Sequence, residues 1–330
     1  MKEEDIRPKQ IFEQYLLLAE KDVDTFFRKA PFYYGNCPAC GTSKSIFLFR
    51  KMGFDYEECT NCGALFVNPR PTAESFNRYY EDSPSVRFWA TNFYKETEAK
   101  RREHLIRPKA ALVKQFLQKY SSLNHEGGCI LDVGSGYGTF CEELQVILPK
   151  IPVIGVEPAI SLQEVCKQKN IPVIPKFFEE MTEDDCSGKE IVAATSFELL
   201  EHLYDPDSFI ATCSRLMKTG SLLIMTTLTW DGFDLQVLRE HSNSIHPPHH
   251  INFLTKESIS LLLQKHGFHI CEIITPGKLD VDLVAKKIEY VQDPFIKRIV
   301  SGDDEVKQQF QEFLQKAGMS SHMMVVAKKI

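Results

Sequence analysis

Apolar positions change their spacing along this chain, and each spacing predicts a different kind of element. Near the N-terminus two short runs, Ile46-Phe47-Leu48-Phe49 and Phe54-Asp55-Tyr56, flank Lys51-Met52-Gly53, a hairpin pattern. Asn68-Pro69-Arg70-Pro71 then ends that unit sharply. From Thr72 to about Tyr120 the spacing becomes helical, with Ala110, Leu112, Val113, Phe116 and Leu117 on one face. Tyr79-Tyr80 and Phe88-Trp89 add large rings, which predicts a helical lid packed on a core. Cys129-Ile130-Leu131-Asp132-Val133 is a short apolar strand that runs into Gly134-Ser135-Gly136-Tyr137-Gly138, after which Thr139–Leu144 is amphipathic. A second strand, Val153-Ile154-Gly155-Val156-Glu157, completes one β-α-β unit. The order of segments predicts an N-terminal helical piece over 1–30, a small ribbon over 31–71, a helical lid or linker over 72–126 and an α/β domain over 127–330.

Composition narrows the class. A chain of 330 residues has ample length for a large core, and an apolar share of 43% with 25% charged residues is ordinary for a globular protein. No run approaches the roughly 20 apolar residues of a membrane helix. The start, MKEEDIRPKQ, has no apolar core or small-residue cleavage site, so the cytoplasm is the expected compartment and no membrane partner is expected. The formal charge of -6 argues against an extended nucleic-acid surface. Lys100-Arg101-Arg102 and Arg107-Pro108-Lys109 form a modest local patch, the best argument in the sequence for an anionic substrate.

Cysteine and histidine are distributed unevenly. Cys37-Pro-Ala-Cys40 and Cys59-Thr-Asn-Cys62 are two C-x-x-C knuckles separated by 18 residues, each followed by a glycine, Gly41 or Gly63. Four thiolates on two tight turns suit a tetrahedral Zn²⁺ with no open position, which makes the metal structural. A disulfide pair is the competing reading, disfavoured in a reducing compartment. Docking onto the rest of the chain is the expected role of this ribbon.

The glycine turn after the first strand lets a ligand approach the backbone, and the following helix N-terminus offers free N–H groups. NAD, FAD and S-adenosylmethionine all use such a turn. The NAD fingerprint wants Gly or Ala three residues after the second glycine, and Thr139 stands there. Glu157 ends the second strand where a ribose diol would arrive, and a carboxylate can accept from both hydroxyls.

Leu131-Asp132-Val133-Gly134-Ser135-Gly136-Tyr137-Gly138 resembles the first motif of the class I S-adenosylmethionine-dependent methyltransferases, and Gly155-Val156-Glu157-Pro158 resembles their ribose-binding strand. Phe197-Glu198-Leu199-Leu200-Glu201-His202-Leu203-Tyr204-Asp205-Pro206 is similar to the segment after strand four in the ubiquinone-biosynthesis O-methyltransferase branch. The resemblance covers roughly Ile130 to Phe268. It implies a doubly wound, seven-stranded Rossmann-like sheet that continues through 172–174, 191–196 and 221–227. The last two strands, 268–274 and 322–328, would pair antiparallel around a helical insertion at about 276–320. Asp205 caps a helix with Pro206 at its first position, and Thr255 opens another.

The same resemblance assigns the cofactor S-adenosylmethionine. Asp132, Gly134, Ser135 and Gly136 would lie around its methionyl end, with Glu157 and Pro158 at the ribose. Phe177 or Phe178 would meet the adenine, with Ser196 and Phe197 at the end of strand four. Glu198, Glu201 and His202 stand at i, i+3 and i+4, on one face if the segment is helical, and by resemblance would support Mg²⁺. A structural polar pair is the alternative, because Mg²⁺ prefers oxygen ligands. His246-Pro-Pro-His249-His250 follows the fifth strand, and His249 or His250 is the candidate general base, with His202 at the opposite end of the same pocket. A structural role for these rings is the alternative.

These readings predict a methyltransferase acting on oxygen of a polar small molecule such as a sugar or nucleotide-sugar. Methylation of RNA or protein recruited by the ribbon, and a non-catalytic scaffold, are the alternatives; intact Asp132, glycines and Glu157 weigh against the scaffold.

Overall fold

The computed structural model describes residues 3–121, 127–186 and 188–330. Residues 1–2 of the expected N-terminal piece, 122–126 at the end of the expected lid, and 187 lie outside the described residues. Its centre is a seven-stranded sheet: β1 (Gly128–Val133), β2 (Val153–Val156), β3 (Val173–Ile174), β4 (Glu190–Phe197), β5 (Leu222–Leu228), β6 (Phe268–Ile274) and β7 (His322–Lys329). The spatial order is β6-β7-β5-β4-β1-β2-β3. β1 through β5 run parallel, while β7 enters antiparallel between β5 and β6, with Leu222 opposite Lys328 and Leu228 opposite His322.

Strand lettering explains the burial. β1 and β5 are apolar at nearly every position and are buried throughout, as parallel strands covered on both faces must be. Alternate residues feed two apolar layers: Leu131, Val133, Leu223 and Val325 on one face, Ile130, Val192, Ile224 and Val326 on the other. The helix Arg107–Tyr120 covers the second face with Ala110, Val113, Phe116 and Leu117, the residues whose spacing predicted it. The helix Pro206–Leu216 covers the first, its N-terminus capped by Asp205, whose Oδ1 accepts from the N–H groups of Asp207 and Ser208 at 3.1 and 3.2 Å. Chain direction diverges from β1 and β4, so the crevice for a ligand lies beyond their carboxyl ends.

The cysteine-bearing unit is joined to this sheet by hydrogen bonds as well as by chain. Its strands Ser45–Lys51, Phe54–Cys59 and Leu65–Val67 form a meander. The open edge of Leu65–Val67 is taken by Asn252–Phe253, immediately after the three-histidine run, with Asn252 opposite Phe66 and Phe253 opposite Leu65. Leu65, Phe66 and Val67 are all buried, and a bare apolar edge is costly, so the loop strand closes it. A third apolar cluster, including Phe27, Tyr56, Phe76, Tyr79, Trp230 and Phe253, joins the N-terminal helix Lys9–Phe26, the ribbon, the lid and the loop.

The lid is a chain of short helices, Ala73–Asp82, Pro84–Phe88, Tyr94–Arg101 and Arg107–Tyr120, with wider π-type turns at Trp89–Phe93 and Arg102–Ile106. Helices Asp280–Ala285, Pro294–Val300 and Asp304–Lys316 fill the interval between β6 and β7 around Val281, Val284 and Leu314. Among the described residues, no helix is long and apolar enough to cross a membrane.

Candidate functional site

Gly134, Gly136 and Gly138 all take positive φ, at 74°, 53° and 67°, but for different physical reasons. A side chain on Gly138 would strike Ile171 at 2.3 Å, so this glycine lets the helix Thr139–Ile147 sit against its neighbours. Nothing lies within 4 Å of a side chain built on Gly136, so that side of the turn is open to a ligand. The N–H of Gly136 donates to Oε2 of Glu157 at 2.9 Å, and the N–H of Ala159 donates to Oε1 at 2.9 Å. Burial raises the Glu157 carboxyl, partly offset by these two amides, and each oxygen keeps lone pairs for further donors. The Ser135 hydroxyl is buried with no partner among the described residues.

Asp132 turns into the sheet, where its carboxylate accepts from the Thr195 hydroxyl at 2.8 Å and burial pushes it up to about 7. Pro158 is exposed. Phe178 enters the core against Phe209, with ring centroids 5.2 Å apart, while Phe177 is 49% exposed beside the same strand end. Ser196 is buried within the sheet, and Phe197 lies between the Phe140 ring at 4.6 Å and the Lys109 ammonium at 4.5 Å.

The segment after β4 departs from the expected helix. Glu198 has φ 53°, and the turn Leu200–His202 is a single 3₁₀ turn, so Glu198 does not share a face with Glu201 and His202. Glu198 Oε1 instead accepts from the Thr226 hydroxyl at 2.6 Å and meets His322 Nε2 at 2.6 Å and Lys109 Nζ at 3.4 Å. Burial would raise its carboxyl, but His322 and Lys109 outweigh this and hold it well below the usual carboxylate range.

Glu201, His202 and His250 come together: one donor atom of each lies within 4.8 Å of the others, a set able to hold a cation. Glu201 accepts from the Thr227 hydroxyl at 2.8 Å, and burial beside Glu198 raises it to about 8. The rings of His202 and His250 are 4.6 Å apart, so they share one corner and do not face each other across a pocket. The His250 Nδ1–H donates to the Ser244 carbonyl at 2.6 Å, which leaves Nε2 as the acceptor, and burial lowers the ring to about 4. His249 is walled in by Tyr15, Tyr79 and Tyr80, and its Nε2 bonds the Tyr79 hydroxyl at 2.5 Å. His246 also faces Tyr15, at 5.7 Å, and its Nε2 has no partner among the described residues.

Several of these neighbours carry no sequence signal of function. Arg7, Tyr15 and His322 lie at the two ends of the chain, and Tyr15 reads only as one apolar position of a helix; nothing local indicates that Tyr15 meets His246 and His249, that His322 meets Glu198, or that the charge of Arg7 reaches His250. Tyr79 and Tyr80 were legible as large buried rings but not as partners of His249. The lid is fixed in place by charge: Glu98 accepts from Lys169 at 2.6 Å and Thr139 at 2.9 Å, and Arg102 bonds Glu142 at 2.6 Å and Glu143 at 3.0 Å.

The four cysteines converge. Cys37 and Cys62 sulfurs are 3.6 Å apart, Cys40 and Cys59 sulfurs 3.5 Å, and all four lie within 4.8 Å. Four sulfurs at about 2.3 Å from one Zn²⁺ would be separated by such distances, whereas a disulfide needs about 2.05 Å. Gly41 and Gly63, at φ 74° and 69°, turn each knuckle so that their N–H groups bond the carbonyls of Cys37 and Cys59 at 2.9 Å. The cluster abuts the histidine loop through the Thr255 hydroxyl, which donates to the Cys62 carbonyl at 2.9 Å, and the Tyr56 hydroxyl, which donates to the His250 carbonyl at 2.7 Å.

Comparison with known proteins places this geometry. The profile of a family described as a methyltransferase domain matches residues 101–273, more than half of the chain. Ubiquinone biosynthesis O-methyltransferases of Methylococcus capsulatus and Bradyrhizobium diazoefficiens are each 30% identical, over 129 and 135 residues. These matches cover 38% and 39% of this chain, which spans about half the length of the curated relatives it matches (52% of each). Among solved structures, the plantazolicin methyltransferase BpumL in complex with SAH is similar at 15% identity and a TM-score of 0.49, over 77% of this chain and 94% of that one.

Proposed function

The chain belongs to the S-adenosylmethionine-dependent methyltransferase-domain family, and on that premise we propose that it methylates an oxygen of a polar small molecule. The observation that carries this reading is His250. Its Nδ1–H is fixed by the Ser244 carbonyl, its Nε2 is left as an acceptor, and Glu201 and His202 stand beside it. A hydroxyl acceptor must lose a proton as it attacks, and a ring held in one tautomer is suited to receive it.

The residues present fit the methyl donor. Among the described residues Gly136 is open on its Cβ side and the Ser135 hydroxyl lacks a partner, and Glu157 follows β2 directly with spare acceptor capacity. S-adenosylmethionine supplies a methyl group on a sulfonium that needs no further activation. Glu157 would hold the ribose hydroxyls, Phe177 rather than the core residue Phe178 would cover the adenine, and Asp132 would set the shape of the turn from beneath. His250 Nε2 would take the acceptor proton, and the lid aromatics would exclude water from that corner.

For the cysteine cluster we infer a structural Zn²⁺ that fixes the ribbon edge on which the histidine loop is built. A cation held by Glu201, His202 and His250 would occupy the same Nε2 lone pair of His250 that receives the proton, since Nδ1–H is committed to Ser244, so the base reading leaves this set without a metal role. Methyl-label transfer into separated pools of cell extract tests the proposal: label in the small-molecule pool supports it, while label confined to RNA or protein would replace it.

A further inference from the structure

The basic patch of the lid is not one patch once folded. Arg102 is committed to Glu98, Glu142 and Glu143, Arg107 to Glu143, and Lys109 to Glu198. Arg101 makes no ion pair among the described residues, and its Nε–H is buried without a hydrogen-bond partner. Arg7, from the N-terminal segment, repeats the condition: among the described residues its Nε–H is also buried and unpartnered, its one ion pair, with Glu3 at 3.8 Å, is shared with Lys286 at 3.2 Å, and the charges of Glu198 and Asp234 reach it only from further away.

Both guanidinium groups lie over aromatic rings, Arg7 over Phe12 at 5.5 Å and Arg101 over Tyr94 at 5.3 Å. Stacking occupies the flat face of a guanidinium and leaves its N–H edge directed elsewhere. The rings are neighbours in the fold, since Phe12 packs on Phe93 at 6.2 Å and Phe93 precedes Tyr94. The Arg101 charge is close enough to disfavour the charge on Arg7, and Arg7 in turn acts on His250. Two like charges with buried unpaired donors are unfavourable in the free protein unless an anion satisfies them. Of the two further carboxyls whose charge reaches Arg7, Glu198 already serves His322, Thr226 and Lys109, and Asp234, which burial raises to about 8, makes no ion pair with either arginine among the described residues.

We propose that Arg7 and Arg101 together bind an anionic group, a carboxylate or a phosphate, of the methyl acceptor, and so orient it towards His250. This rests on the methyltransferase reading and adds to it the substrate class: an acceptor that carries a negative group as well as the hydroxyl. It also gives the N-terminal segment a purpose, since Arg7 completes the site only when that segment packs against the lid, as Phe12 does on Phe93 and Tyr15 on Trp89.

The test uses the full chain with inorganic phosphate and succinate as separate calorimetric probes, S-adenosylhomocysteine as the independent measure of the donor site, and a neutral sugar as control. One of the two anions should bind the natural chain, and which one identifies phosphate or carboxylate as the group recognised. Arg7→Gln and Arg101→Gln should each weaken that anion about tenfold or more, and Arg7→Lys should recover part of the loss. S-adenosylhomocysteine affinity should be unchanged in all three variants, which shows that they fold. Anion affinity unaffected by either Gln substitution, or absent from the natural chain, would overturn the proposal. Failure of S-adenosylhomocysteine to bind the natural chain would instead remove the methyltransferase reading and leave the arginine comparison intact.

Discussion

Asn252, two residues after His250, stands opposite Phe66, four residues after Cys62, across an antiparallel pair. The edge of the four-cysteine unit and the loop that carries the candidate base are therefore one sheet. Asn252 also donates from Nδ2 to the Leu203 carbonyl at 2.6 Å, and Arg70 donates to the Tyr204 carbonyl at 2.7 Å, so the segment after β4 is tied to the same edge.

Loss of the cysteine cluster should therefore act on turnover before it acts on donor binding. Cys59→Ser with Cys62→Ser, or strong chelation of the purified protein, should lower turnover on the order of tenfold or more while S-adenosylhomocysteine affinity holds. Metal analysis should return one tightly held zinc. Equal loss of both properties would mean that the cluster supports the whole fold and not the loop.

Glu157→Ala should weaken S-adenosylhomocysteine about tenfold to a hundredfold, the loss expected when charge-assisted hydrogen bonds to a diol disappear. Calorimetry reads this directly. Thermal stability in the absence of ligand separates a lost contact from a collapsed turn, because Glu157 also holds the Gly136 amide.

The two candidate bases should separate by parameter. His250→Ala should lower kcat by roughly a hundredfold or more with little change in donor affinity, the range of a lost general base. His249→Ala removes one of the two partners of the buried Tyr79 hydroxyl, which keeps Ser85 at 3.2 Å, and empties the space between Tyr15, Tyr79 and Tyr80, so it should instead cost about 1–3 kcal/mol of stability. If His250→Ala kept full turnover under saturating substrate, the assignment of the proton acceptor would be abandoned.

Asp234 gives a pH test outside the donor site. Its carboxyl is fully buried, both oxygens lack hydrogen-bond partners among the described residues, and burial beside Asp280 raises it to about 8. The folded state then keeps a proton that the unfolded chain releases near pH 4. The stability this group contributes is fully present below about pH 4 and is lost as pH rises through about 8. Asp234→Asn does not titrate, so its melting temperature should gain on the natural protein progressively between those limits and level off above them. A gap that stays constant with pH would show that Asp234 is ionised in the fold.

Much of the architecture was legible because it depends on local rules. Short continuous apolar runs bounded by turn residues suit buried strands, Asp205-Pro206 and Thr255 are capping chemistry, and two C-x-x-C knuckles can close on a metal without knowledge of anything else. The shared face of Glu198, Glu201 and His202 depended on that segment being helical, which a local pattern cannot decide. Spacing placed three polar residues on one helical face, but Glu198 is drawn to His322 and Lys109, which no local pattern connects with it. The positive φ at Glu198 and the short 3₁₀ turn accompany those contacts.

By itself the sequence determined the first β-α-β unit, the four-cysteine unit and the glycine turn with its acidic partner strand, while the later strands and their pairing were what the family resemblance implied. Periodicity, capping and knuckle spacing are interactions over a few residues, and they are written in adjacent letters. Only the tertiary structure decided that His202 and His250 share a corner, that Glu198 leaves that group, that the ribbon edge carries the histidine loop, and that Arg7 meets the lid near Arg101. Those relationships come from burying apolar edges and pairing charges between segments as far apart as residues 7 and 322. Such energies depend on the whole packed chain and not on any stretch of it.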